Sequence, residues 1–153
     1  MAVINFEQAI PVPSTIFDIN ANVVMTEGPS TVPPGAIITT PPTAIQVDQP
    51  TIFTFNWAAT GWLAATILAP SPIKNWKFDV FYELMGPGEA TFAVPTSTVP
   101  TSLSGFTTLT VLPGTVATEG IYRVVVRMMM TLTGNPSPIC GFIDFGLVEY
   151  YKG

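Results

Sequence analysis

Trp76-Lys77-Phe78-Asp79-Val80-Phe81-Tyr82-Glu83-Leu84 decides the fold class of this chain. On an extended backbone Trp76, Phe78, Val80, Tyr82 and Leu84 share one side, while Lys77, Asp79, Phe81 and Glu83 share the other. A period of two marks a strand with one buried and one wet face. The same reading holds over 17–26, where Phe17, Ile19, Ala21, Val23 and Met25 alternate with Asp18, Asn20 and Asn22. It holds over 51–58, where Phe53, Phe55 and Trp57 alternate with Thr54 and Asn56. Residues 106–112 read as a threonine-rich strand. Residues 121–133 and 139–151 read as long strands joined by Gly134-Asn135-Pro136-Ser137-Pro138, a loop of hairpin length. No stretch keeps a 3.6-residue apolar period over three turns, so little or no helix is expected.

Sixteen prolines and twelve glycines cluster between these apolar runs. Seven to nine short strands bounded by such turns predict an all-β, two-sheet antiparallel β-sandwich, with a closed barrel as the alternative. Residues 28–50 hold six prolines and read as a long irregular connection with short strands at 36–40 and 45–47. Residues 1–153 suit a single domain. Residues 1–13 form an N-terminal arm in which Ala2, Ile4, Phe6 and Gln8 alternate with Val3, Asn5 and Glu7 ahead of Pro11-Val12-Pro13. Such an arm is expected to add as a strand to the sheet edge of another chain, or to fold back on its own sheet.

The chain contains no histidine and one cysteine, Cys140. Most acid–base and nucleophilic mechanisms lack their usual base, so no enzyme is expected. Zinc has too few ligands and no calcium-loop pattern occurs, so no cofactor is expected, with calcium held between loops by acids distant in sequence as the alternative. Five scattered cations against ten acids cannot build a basic patch, which argues against nucleic acid. No apolar run reaches 18 residues, which argues against membrane insertion by a helix. No signal peptide is visible, which leaves a cytoplasmic chain, export by another route, or a processed start.

The stretch Glu119-Gly120-Ile121-Tyr122-Arg123-Val124-Val125-Val126 resembles the entry to the penultimate strand of immunoglobulin-like and fibronectin-III-like domains. There a glycine turn precedes a tyrosine whose hydroxyl closes the corner. Trp76 is similar to the core tryptophan of those folds, while the paired cysteines of antibody domains are missing. The resemblance implies an immunoglobulin-like sandwich and carries no function. It also implies that the Trp76 and Ile121 strands are neighbours. Arg123 and Arg127 would then face Asp79 and Glu83 as a cross-strand ladder.

Charged residues make up only 10% of the chain, against about 25% in an ordinary domain. Either some surface is covered by a partner, or the chain carries a neutral, secreted-type surface in which threonine supplies the polarity. The reading is a structural or interaction module that forms a homo-oligomer or docks on a partner protein. Its contact residues are Ile4 and Phe6 of the arm, Phe81 between two acids, Met129 beside Arg127, and Trp62, which is read as core or as an outward aromatic. The alternative is a small-ligand or carbohydrate-binding module using Trp62, Tyr150 or Tyr151.

Overall fold

The computed structural model describes residues 2–7, 13–28, 44–88 and 92–153. Within them the strands are β1 Ala2–Glu7, β2 Asp18–Glu27, β3 Ala44–Gln46, β4 Thr51–Thr60, β5 Lys74–Leu84, β6 Thr96–Pro100, β7 Ser104–Val111, β8 Gly120–Leu132 and β9 Asn135–Tyr151. The one helix among the described residues, α1 Ala64–Ile67, is a single turn. All strand pairs are antiparallel except β3, which runs parallel to β9. The expected strand at 36–40 lies outside the described residues.

The strands run in the order β6-β5-β8-β9-β1-β2-β4-β7, with β3 also on β9. The expected all-β antiparallel architecture is present, with the strands joined in one nearly closed sheet that approaches the barrel alternative. Ala2, Val3 and Ile4 pair with Val23, Asn22 and Ala21 of β2, and Asn5, Phe6 and Glu7 pair with Phe142, Gly141 and Cys140 of β9. One strand thus crosses from one layer to the other and makes a single sheet. The sheet curls until its end strands β6 and β7 approach each other. The result is close to a barrel but open between β6 and β7.

The inward faces are the ones the alternation assigns. Phe17, Ile19, Ala21, Val23 and Met25 are buried, as are Phe53, Phe55 and Trp57 of β4 and Trp76, Phe78 and Val80 of β5. Rings from facing parts of the sheet meet in the middle. Phe55 lies 4.5 Å from Phe78 and Trp57 lies 5.7 Å from Phe78, centroid to centroid. Such contacts add to area burial, which alone stabilises by about 25 cal/mol per Å² of apolar surface.

The β8–β9 connection is tighter than its sequence suggests. β9 begins at Asn135, so Thr133 and Gly134 alone make the turn, with φ of 50° and 80°. Two successive positive φ angles define the hairpin turn whose twist matches its strands. β6 was hidden because Pro95 and Pro100 read as punctuation, yet proline is tolerated at the end of an edge strand.

Tyr122 is fully buried, and its hydroxyl donates to the Thr118 carbonyl at 2.9 Å. This is the corner the sequence implies. Tyr122→Phe is expected to lower stability by about 0.5–1.5 kcal/mol, read from the urea midpoint. An unchanged midpoint would remove the corner from the account.

Beside it lies a hydroxyl cluster. The Tyr150 hydroxyl is 3.0 Å from Thr51 Oγ1 and 3.1 Å from the Tyr82 hydroxyl. The Tyr82, Tyr122 and Tyr150 rings meet edge to face. Burial raises the pKa of Tyr82 and of Tyr150 above the ordinary phenol value, and for Tyr82 the neighbouring Tyr150 adds to the rise. Above pH ~10 the unfolded chain releases these protons while the folded chain keeps them, so stability falls as pH rises. The expected slope is up to about 1.4 kcal/mol per pH unit for each ring. Alkaline unfolding should coincide with the rise in tyrosinate absorbance. Ionisation of both rings in a still-folded chain would contradict this.

Candidate functional site

Three surfaces carry the residues singled out from the sequence. The first is the seat of β1. Ile4 is buried and Phe6 half-buried against the core, so both face inward. β9 receives them at a glycine. A Cβ on Gly141 would come within 2.6 Å of Ile4 Cγ2 and 3.0 Å of both the Asn5 carbonyl oxygen and Phe6 Cγ. Only glycine lets β1 come this near β9. Both neighbours of β1 belong to its own chain, so the segment completes its own sheet in the monomer.

The second surface is the outer face of β5, β8 and β9. Asp79 stands opposite Arg127 and Glu83 opposite Arg123, which is the expected strand order. Arg127 Nε donates to Asp79 Oδ2 at 2.9 Å, and its Nη2 donates to the same oxygen. Lys77 Nζ is 3.6 Å from the other carboxylate oxygen. Asp79 is only 2% exposed, and a carboxylate so buried persists where it is paired. Arg123 turns instead to β9, where its Nε donates to Asp144 Oδ2 at 2.9 Å. That bond, with a second from the Gly146 N–H, holds the Asp144 carboxyl below the usual range. Glu83 is left exposed.

Phe81 is half-buried, with the Arg127 guanidinium 5.0 Å from its ring centroid. A cation over a ring face is attracted by the ring quadrupole, so Phe81 already has a partner within the chain. Met129, expected as an outward contact residue, faces outward but is only 6% exposed, in register between Lys77 and Cys140. A mid-sheet position flanked by long side chains covers it. Neither residue offers much free surface in the monomer.

The third surface is the end of the sheet at β4 and β7. Neither strand contains a charged residue. Their outward positions pair Ile52 with Thr110, Thr54 with Thr108, Asn56 with Phe106 and Ala58 with Ser104. Phe106 is 55% exposed. Nothing in the sequence reading had singled it out, although a phenylalanine out of step with inward Leu109 and Val111 was a usable sign.

Trp62 is 72% exposed. Gly61 packs against the backbone at Ile16 and Phe17, and α1 sends Ala64 and Leu68 inward, which leaves Trp62 outside. Tyr150 is buried in the hydroxyl cluster, and Tyr151 is 36% exposed. Trp62 follows the Thr60 end of β4, whereas Tyr150 contacts Thr51 at the other end. The ten residues of β4 span roughly 30 Å from end to end, so the two aromatics cannot share one platform.

Among the described residues no three acidic or cysteine side chains gather to hold a metal ion, and no helix is long and apolar enough to cross a membrane. Comparison with protein-family models, curated proteins and solved structures finds no match.

Proposed function

We propose that this domain is a non-enzymatic structural module that associates with further copies of itself through its β-structure. The observation that carries the reading is the charge-free pair β4 and β7 at an open end of the sheet, with Phe106 exposed on it. Native monomers blunt a sheet edge with lysine, proline, a bulge or a cover. β7 has no charge and no proline. Sedimentation of the purified chain over a concentration series, with negative-stain microscopy, tests the reading. A mass that grows with concentration supports it.

The immunoglobulin-like class belongs to the same proposal. The Tyr122 corner and the fully buried Trp76 near the start of β5 support it. Exchange of β1 between copies is a second route to assembly, supported by the glycine seat on β9. Deleting residues 2–10 and adding them back as a peptide separates the routes. If the peptide restores the melting midpoint of the truncated chain, the seat accepts a strand in trans. The carbohydrate reading is weakened by the separation of Trp62 from Tyr150 and by the burial of Tyr150.

A further inference from the structure

We propose that β7 pairs antiparallel with β7 of a second copy, in one register centred on Thr107. The inference rests on the reading that the domain self-associates, and it names the contact. The Ala59 N–H donates to the Leu103 carbonyl at 2.7 Å, and this pair continues the register of Ala58 with Ser104. Bonded pairs recur at every second residue of an antiparallel ladder. Gly105, Thr107, Leu109 and Val111 therefore turn their main-chain groups toward β4. Ser104, Phe106, Thr108 and Thr110 turn theirs to the free edge, and their side chains are all exposed.

A two-fold axis through Thr107 sets Ser104 opposite Thr110 of the second copy and Phe106 opposite its Thr108. Every main-chain N–H and C=O of those four residues then finds a partner across the axis, the Ser104 carbonyl in addition to the Ser102 hydroxyl it already accepts at 3.0 Å. A shift by two residues in either direction strands some of them. Phe106 lies against a β-branched residue, a favourable cross-strand pair. No like charges meet, because β7 has none. The two-fold pairing is self-complementary, so the occupant is a second copy of this chain. β6 suits the role less well, being five residues long and ending in Pro100, which has no N–H to give.

The register predicts a disulfide. Chains carrying Ser104→Cys and Thr110→Cys, each in a Cys140→Ser background, are mixed and gently oxidised. Directly opposed residues stand about 5.5 Å apart at Cα, within disulfide reach. The expected product is a mixed dimer containing one chain of each kind. Either variant alone should give little, since Ser104 lies roughly 20 Å from its own copy in this register. Thr108→Pro removes an N–H that β4 does not use, and an edge strand tolerates that. It should weaken the full-length dimer roughly tenfold to a hundredfold while unfolding stays cooperative. Undiminished association of Thr108→Pro with no mixed disulfide overturns the β7 contact and leaves self-association standing. A wild-type chain that stays monomeric overturns both.

Discussion

Gly61→Ala is expected to destabilise the domain by about 3 kcal/mol or more. Gly61 ends β4 with φ at +101°, in a region that side chains with a Cβ rarely enter. A Cβ there would lie 2.3 Å from the Ile16 carbonyl oxygen and 2.7 Å from the Phe17 nitrogen. These are backbone atoms, so no flexible side chain can yield. The same carbonyl accepts the Leu63 N–H at 3.0 Å. Relief of the overlap would therefore disturb the entry to α1 and the start of β2 together. The measurement is the denaturant midpoint. A change below 1 kcal/mol would mean that the close approach of Gly61 to Ile16 is not part of the native packing.

Trp76→Ala should cost about 3–5 kcal/mol. The ring is fully buried, 6.5 Å from Trp57 centroid to centroid, with Met130 of β8 and Val99 of β6 in register on either side. Three strands meet at that one side chain, and its loss leaves a void in the layer they form. Among the described residues its indole N–H meets no protein acceptor. Trp76→Phe should therefore cost less than the lost volume alone implies, because an unpaired buried donor goes with it. Equal losses for the two substitutions would contradict that account.

The inward faces were legible because burial on a strand imposes a period of two, and Phe17 to Met25 or Trp76 to Leu84 show it with Val24 and Phe81 as the apolar exceptions. The neighbourhood of β5 and β8 was legible from Trp76 and Tyr122, and the pairing of Asp79 with Arg127 followed from it. Arg123 was not predictable in the same way. Glu83 on one side and Asp144 on the other both lie near it, and only the β9 bulge, which presents Asp144 with its hydrogen bond to Gly146, decides between them. The crossing of β1 was equally hidden, since its alternation is the same whichever strand it joins. The sign was Gly141, a residue without a side chain in a strand interior, which marks close approach of another chain segment. Met129 was misjudged because facing outward is not the same as being exposed in the middle of a wide sheet.

The direct test of self-association is the mass of the full-length chain in solution, measured by sedimentation equilibrium from dilute to concentrated protein. The account predicts a mass that rises from that of one chain to that of at least two, and Thr108→Pro should displace the rise to higher concentration. A single-chain mass at every concentration would contradict it.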